Sequence, residues 1–232
     1  MMDFREIRTE RLLMRRWRDA DRAPFAALNA DPEVMRYLPA TLGRAESDQL
    51  VDRIDERFDQ QGFGLWALEV LESGEFVGFT GLSPMPDGVP GAGGQEVGWR
   101  LDRHAWHKGY ATEAARAALD VGLKSLGLPV IWSMTAVLNT PSQAVMRRLA
   151  MVRYRLFDHP RVERGHALRP HVLYGIGLRH AQVAARCADP PTTMRYDRAK
   201  KNLDRHPGYI LAVDIVSLTR RRRPHPSPPK RR

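Results

Sequence analysis

Cysteine is almost absent from this 232-residue chain, which contains Cys187 alone. A single cysteine cannot form a disulfide within the chain, and this usage is typical of a protein that stays in a reducing cytoplasm. Cysteine and histidine also form no cluster with the spacing of metal ligands; even His104 and His107, three residues apart, predict no metal site. We therefore expect a cytoplasmic protein without a bound metal.

Long apolar runs are also missing. No segment approaches the roughly 18 consecutive apolar residues that a transmembrane helix requires. The first eleven residues are charged and lack the apolar centre of a signal peptide. Because 43% of the residues are apolar, the chain can still bury an ordinary core, and its length suits one domain with an extension. The sequence predicts no association with a membrane.

Acidic residues are absent from the C-terminal end. The net charge is +10, yet the segment 220–232 alone contains seven basic residues and no acidic ones. It also contains four prolines. Such a segment is typical of a disordered tail, which can bind nucleic acid weakly and without sequence preference. The basic character therefore says little about the rest of the chain.

The two best-known phosphate-binding motifs, G-x-x-x-x-G-K-[ST] and G-x-G-x-x-G, do not occur. A different phosphate site is nevertheless indicated where the predicted strand 95–101 leads through a glycine turn into a helix that continues to about Leu126. The first backbone N–H groups of a helix have no partner within it, and the helix dipole is positive there. Gly109 permits a tight turn and a close ligand, while Lys108 adds a charge. An ordinary structural turn would have the same pattern.

The residues 106–114, W-H-K-G-Y-A-T-E-A, resemble the pyrophosphate-binding segment of the GNAT superfamily of acetyl-CoA-dependent N-acetyltransferases. The superfamily pattern Q/R-x-x-G-x-G/A is here Trp106-x-x-Gly109-x-Ala111. The sequence of this segment is most similar to that of the Rim-type branch, which acetylates N-terminal amines of ribosomal proteins. That branch more often has glycine where His107 stands. By this resemblance, acetyl-CoA is the acetyl donor, and the residues that bind it are Trp99, Leu101, His107, Lys108, Gly109, Tyr110, Ala111, Thr112, Asn139 and Ser142.

A second segment, 139–151, supports the same resemblance because it contains the motif N-x-x-S-x-x-V-M-x-x-L-x-M. Thr140 is predicted to cap a helix, with Pro141 in the first turn and Gln143 completing a capping box. The family usually has glycine where Ala150 stands. Because alanine adopts positive φ less readily, we expect the turn after this helix to differ.

The periodicity of the chain predicts a strand, two helices, a hairpin and another strand, followed by helix, strand, helix and two strands. This order resembles the superfamily over about residues 9–180. The implied fold class is mixed α/β, with a central, mostly antiparallel sheet, flanking helices and two central strands that splay apart to admit the pantetheine arm. Residues 1–180 would form the acetyltransferase domain, 181–219 an appendage and 220–232 the basic tail.

Within the appendage, residues 188–215 resemble the C-terminal end of tyrosine recombinases, with Tyr196 in the place of the nucleophile. Those enzymes also need an upstream arginine and an H-x-x-R segment to stabilise the reacting phosphate. The preceding residues belong to the acetyltransferase pattern and offer no such domain. A tyrosine with an ordinary pKa near 10 is a poor nucleophile without these partners. We therefore interpret the appendage as a remnant without recombinase activity.

Acetyl transfer requires a neutral amine, a polarised thioester carbonyl and a protonated leaving thiol. Glu96 is the candidate base, acting through water, although an edge carboxylate or a salt-bridge partner would have the same pattern. Backbone N–H groups near 99–101 could polarise the carbonyl, as the resemblance implies. Met146 stands where many family members have a tyrosine acid. Ser142 is thus the candidate proton donor, and Asn139 would bind the pantetheine; Ser142 also suits a purely structural first helical turn.

Three functions remain open. The first is acetyl transfer by direct attack in a ternary complex of a monomeric or homodimeric enzyme. Its acceptor would be a protein N-terminus or a small amine. The second is a non-catalytic acyl-CoA-binding sensor, which the methionine at 146 and the alanine at 150 would suit. The third is a DNA-associated protein, which depends on the basic tail.

Overall fold

The structure is a computed structural model that describes residues 4–177. The predicted helices and strands of this range are confirmed, with one short strand added at the N-terminus. In order, the elements are β1 (Glu6–Arg8), β2 (Leu12–Arg15), α1 (Asp19–Ala30), α2 (Arg44–Gln61), β3 (Leu65–Val70), β4 (Phe76–Pro84), β5 (Gln95–Leu101), α3 (Tyr110–Asp120), β6 (Val130–Ala136), α4 (Thr140–Arg148), β7 (Val152–Asp158) and β8 (Pro170–Gly177). Strand β1 escaped prediction because three residues are too few for a recognisable alternation.

All eight strands of the described range form one sheet in the order β1-β2-β3-β4-β5-β6-β8-β7. Every neighbouring pair is antiparallel except β5 and β6, which confirms the predicted mixed α/β fold with a mostly antiparallel sheet. The parallel pair shares only two register positions, Gln95 with Ile131 and Glu96 with Trp132. Beyond them the two strands separate, as the resemblance implied.

Helices cover both faces of the sheet. On one face, Phe25 of α1 packs edge to face against Trp17 at 4.7 Å and Phe79 of β4 at 5.8 Å between ring centroids. On the other face, α3 lies against β4 and β5, where its fully buried Ala114 and Ala118 allow close approach. Burial of each large apolar side chain contributes about 1.5–3 kcal/mol, so these layers hold β5 firmly in the middle of the sheet.

The helix predicted to continue to Leu126 changes its geometry before that point. The α-helix ends at Asp120, and a single π-helical turn follows over Val121–Ser125. A Cβ atom on Gly122 would lie 2.5 Å from Cδ1 of Ile131, so glycine permits the close contact between this turn and β6. The predicted termination at Gly127 is confirmed by its left-handed φ of 64°.

The start of α4 corrects the predicted cap. Asn139, not Thr140, caps the helix, because its Oδ1 accepts a hydrogen bond of 3.1 Å from the Ser142 backbone N–H. The Gln143 side chain donates instead to the carbonyl oxygen of Val137 at 2.8 Å and forms no capping box. An asparagine side chain reaches the free N–H groups of the first turn from one position further back.

The end of α4 corrects a second prediction. Ala150 adopts φ of 58°, so the left-handed turn forms despite the loss of glycine. The Ala150 N–H donates to the carbonyl of Arg147 and the Met151 N–H to the carbonyl of Met146, each at 3.0 Å. This is the hydrogen-bond pattern of a Schellman motif, whose two bonds offset the strain of an alanine in this conformation.

Candidate active site

The separation of β5 from β6 creates the site. Glu96 occupies the last position at which the two strands pair, opposite Trp132. From Val97 to Leu101, β5 pairs only with β4, so its other edge faces the gap between the strands. Backbone groups along a free strand edge can bind an extended ligand or polarise a carbonyl. The predicted donors near 99–101 therefore lie on a free strand edge.

Glu96 is a partly buried carboxylate rather than an exposed edge residue. Its Oε1 accepts a hydrogen bond of 3.2 Å from the hydroxyl of Ser83, the residue opposite it on β4. Burial raises the pKa of Glu96 to about 7, while the Ser83 hydrogen bond and the charge of Arg57 act in the opposite direction. No salt bridge to Glu96 occurs within residues 4–177. A carboxylate with this pKa can accept a proton at neutral pH.

The glycine turn lies where β5 leads into α3. Gly109 is the N-cap of α3 with φ of 85°, a conformation that glycine adopts without strain. Among the described residues, the backbone N–H groups of Gly109, Tyr110 and Ala111 find no acceptor. We refer to the turn 107–111 as the cradle. Three free N–H groups at the positive end of a helix suit an anion such as a pyrophosphate.

Arg11 and Glu113 fix the cradle. The Arg11 guanidinium lies 2.6 Å from the Glu113 carboxylate, and its Nη1 donates to the carbonyl oxygen of Lys108 at 2.9 Å. Burial would raise the pKa of Glu113, but hydrogen bonds from Thr9 and Arg11 outweigh it and lower that pKa. The glutamate therefore stays charged, and the arginine compensates its charge beside the anion site. No sequence pattern indicated this pair, because its members are about a hundred residues apart.

His107 and Lys108 stand at the exposed edge of the cradle. His107 adopts φ of 61°, which is unusual for a residue with a Cβ atom. The backbone therefore keeps a conformation that suits glycine, although histidine stands there. Tyr110 and Thr112 lie in the first turn of α3; the Tyr110 ring lies under the Arg11 guanidinium at 5.0 Å, and the Thr112 N–H donates to Gly109.

The N-terminal end of α4 stands on the other side of the gap, directly after β6. The Asn139 side chain makes two hydrogen bonds, since its Nδ2 donates to Thr135 Oγ1 at 2.9 Å while its Oδ1 caps the helix. Among residues 4–177 the second N–H of Nδ2 has no partner and remains for the predicted contact to pantetheine. The Ser142 hydroxyl has no hydrogen-bond partner among residues 4–177. Tyr174, which the sequence did not indicate, places its hydroxyl 3.4 Å from Gln143 Oε1.

The remaining predicted residues have clear positions. Leu101 is buried, and its carbonyl oxygen accepts a hydrogen bond of 2.9 Å from Trp106 Nε1, which ties the end of β5 to the cradle. Trp99 is partly buried and packs on the core. Met146 is buried at 1% exposure and carries no ionisable group, so it supplies no acid. Predicted residues thus stand on both β5 and α4, which border the gap from its two sides.

The profile of the acetyltransferase (GNAT) domain matches residues 11–152, which is more than half of the chain. The chain belongs to the GNAT family of acetyltransferases. It is 34% identical over 115 residues to the uncharacterized protein YkkB of Bacillus subtilis, covering 49% of this chain and 66% of that protein, just under two thirds. It is 29% identical over 144 residues to the uncharacterized N-acetyltransferase p20 of Bacillus licheniformis, covering 61% and 79% respectively.

Solved structures agree with this GNAT assignment. A GNAT-family acetyltransferase from Bacillus anthracis superposes with a TM-score of 0.63 at 25% identity, covering 75% of this chain and 99% of the other. The ribosomal-protein-S5-alanine acetyltransferase from Vibrio fischeri gives a TM-score of 0.61 at 16% identity, covering 74% and 96%; this second likeness concerns the fold alone. Together the profile and the relatives identify the chain as an acyltransferase. The segment 188–215, which resembles a recombinase, and the basic tail 220–232 lie outside the described residues.

One cavity of this GNAT domain lies apart from the predicted site residues. This cavity of about 420 Å³ is lined by Arg15, Glu69, His104 and their neighbours, and no predicted site residue lines it. Within residues 4–177, no three metal-ligating side chains are grouped to hold an ion, and no helix is long and apolar enough to cross a membrane. The free N–H groups of the cradle and the gap between β5 and β6 fit the pyrophosphate and the extended arm of acetyl-CoA.

Proposed function

We propose that this protein transfers the acetyl group of acetyl-CoA to a primary amine by direct attack within a ternary complex. The observation that carries the proposal is the position of Glu96. A carboxylate with a pKa raised to about 7 lies at the point where β5 and β6 separate. GNAT enzymes as a family use acetyl-CoA, and the cradle and the gap offer matching sites for its two ends.

The cradle would hold the pyrophosphate of acetyl-CoA. The free N–H groups of Gly109, Tyr110 and Ala111 are donors for phosphate oxygens, and Lys108 adds a positive charge nearby. Asn139 and Ser142 would flank the pantetheine arm where β6 leads into α4. When bound, acetyl-CoA supplies the thioester, whose C–S bond breaks as the new C–N bond forms.

Glu96 would act as the general base through a water molecule. An amine attacks only as its neutral form and must lose one proton as it becomes an amide. Free backbone N–H groups on β5 between Val97 and Leu101 would stabilise the negative charge that develops on the carbonyl oxygen. The departing sulfur needs a proton, and the Ser142 hydroxyl at the start of α4 is the candidate donor. Position 146, where many family members have a tyrosine acid, is a buried methionine that cannot donate a proton.

The acceptor would be a protein N-terminal amine or a small amine. The similarity of the sequence 106–114 to the Rim-type branch favours the N-terminal amine. The structural likeness to a ribosomal-protein acetyltransferase is compatible with it.

An assay of thiol release from acetyl-CoA tests the proposal. The acceptors are free-N-terminal peptides, polyamines and amino acids, and mass spectrometry identifies the acetylated product. We expect acetylation of at least one class, with Glu96→Gln reducing kcat by about 10²–10⁴-fold. Ser142→Ala should reduce kcat with little change in the KM for acetyl-CoA. Glu72→Gln, at an exposed turn, is the matched control and should behave like the wild type.

A second outcome would support the acyl-CoA sensor instead. In that case acetyl-CoA binds to the protein, but no amine in the panel causes thiol release above the rate without an acceptor. The sensor is compatible with the buried Met146 in the place of an acid. Acetylation of any acceptor that depends on Glu96 would exclude it.

A further inference from the structure

Three residues of β5 share one face of the sheet. Side chains alternate along a strand, so Glu96, Gly98 and Arg100 point to the same side, with about 13 Å between the Cα atoms of the outer two. A Cβ atom on Gly98 would have nothing within 4 Å, so the space between the two charged residues is open. Helices α1 and α2 cover this face. Arg100 donates a hydrogen bond to Asn29 of α1, and the charge of Arg57 on α2 lowers the pKa of Glu96.

Arg100 is a cation with unusually few partners. Its Nη1 donates to the amide oxygen of Asn29, and its guanidinium lies over the Phe79 ring at 5.4 Å. Its Nε is buried without a hydrogen-bond partner. No carboxylate within residues 4–177 forms a salt bridge with it. Burial lowers the pKa of Arg100 to about 10, so the group remains charged at neutral pH.

Arg15 provides the contrast within the same domain. This arginine is also buried, at 5% exposure, but Asp21 and Glu69 lie 2.7 Å and 2.8 Å from its nitrogens. A buried charge is costly unless an opposite charge and hydrogen bonds compensate it. The described residues provide that compensation at Arg15 and not at Arg100. An anion that binds to Arg100 would complete an arrangement that the protein leaves open.

The geometry points to an acceptor that carries a carboxylate as well as an amine. Arg100 would hold the carboxylate through Nε–H and Nη2–H, while the amine lies over Gly98 towards Glu96. With Nη1 directed to Asn29, the other edge of the guanidinium presents two parallel N–H groups, which match the two oxygens of a carboxylate. Arg57 adds a second positive charge near Glu96, which disfavours polycationic acceptors. This inference rests on the proposed acetyl transfer.

Matched acceptor pairs test the inference. Each pair is an amine with a free carboxylate and its neutral amide, for example a dipeptide and the dipeptide amide, or an ω-amino acid and its amide. We expect the wild type to prefer the carboxylate by about tenfold or more in kcat/KM, as a charge-assisted bidentate contact of about 1.5–3 kcal/mol implies. Arg100→Gln should remove this preference by raising the KM for the carboxylate member of each pair more than the KM for its amide.

Controls separate recognition from folding. Arg103→Gln removes an exposed arginine that pairs with Asp31 at 3.6 Å and should leave the preference intact. Arg100→Lys should restore part of it. Because Arg100 also contacts α1, its variants are first compared with the wild type by thermal melting. The preference of the wild type needs no variant, so the inference remains testable even if Arg100→Gln does not fold.

A binding measurement distinguishes failure of this inference from failure of acetyl transfer. In the presence of CoA, the free-carboxylate probe should raise the Tm more than its amide, whether or not any amine is acetylated. Absence of acetylation with preserved carboxylate binding would refute the proposed function alone. Equal kcat/KM for both members of every pair, or an equal loss for both in folded Arg100→Gln, would overturn the inference.

Discussion

Glu96 pairs with Trp132 at the last register position that β5 and β6 share. The carboxylate is therefore held beside the gap by two neighbouring strands: Ser83 on β4 donates to it, and β6 begins to diverge from it on the other side. This position explains its burial and its pKa of about 7 together. Both properties follow from placing an acidic residue inside a sheet at the point where the sheet opens.

The pH dependence of the reaction should report on Glu96. The base acts only when deprotonated, so kcat should rise with pH and level off above a midpoint of about 7. Glu96→Gln should lower the plateau by about 10²–10⁴-fold and remove this limb. The measurement uses a weakly basic amine, whose own titration lies below the range. An unchanged midpoint in Glu96→Gln would mean that another group titrates.

Glu96 should also make folding stability depend on pH. Its pKa in the folded state is raised above the ordinary value of 4.5, so the native state binds more protons between about pH 4.5 and 7. Its carboxylate therefore costs stability as pH rises through this window. Glu96→Gln should be more stable than the wild type at pH 8 by about 3 kcal/mol, or roughly 6–12 °C in Tm, with little difference at pH 4.5. Equal melting differences at both pH values would contradict this expectation.

Ala150→Gly should stabilise the protein. The left-handed conformation of Ala150 costs about 1–2 kcal/mol, which glycine would not incur. Glycine also gives the unfolded chain more conformational freedom, and this offsets part of the gain in stability. We expect a net gain of about 0.5–1 kcal/mol in the free energy of unfolding, measured by denaturant titration. Ala117→Gly within α3 is the control and should destabilise by about 0.5–1 kcal/mol. Destabilisation by Ala150→Gly would show that the turn is not strained.

The sequence predicted the fold well because its periodicity and turn residues agree with the sheet. The alternating run 95–101 and the glycine turn at 109 correctly located β5 and the cradle. The side-chain contacts across the domain were not predictable. Arg11 with Glu113 and Arg100 with Asn29 join residues far apart in sequence, and no local pattern records such pairs. The pKa of Glu96 likewise depends on burial, which only the assembled sheet determines.

Residue identity also misled the prediction at turns. The replacement of glycine by Ala150 suggested an altered turn, yet two hydrogen bonds and the packing around α4 keep the left-handed conformation. His107 behaves similarly at φ of 61°. At the start of α4, Asn139 captures the cap that Thr140 was expected to provide. At Ala150 and Asn139, hydrogen bonds of the neighbouring helical turn decided between conformations that intrinsic preference separates by only about 1–2 kcal/mol.

The binding of acetyl-CoA to the cradle is the central claim, and a calorimetric titration tests it most directly. Gly109→Glu places a carboxylate at the free N–H groups, in a backbone conformation with φ of 85°. The control is Gly74→Glu in the β3–β4 turn, where φ is 69° and nothing lies within 4 Å of an added Cβ. We predict that the wild type and Gly74→Glu bind acetyl-CoA equally, while folded Gly109→Glu shows no detectable binding. Unimpaired binding by Gly109→Glu would contradict the account.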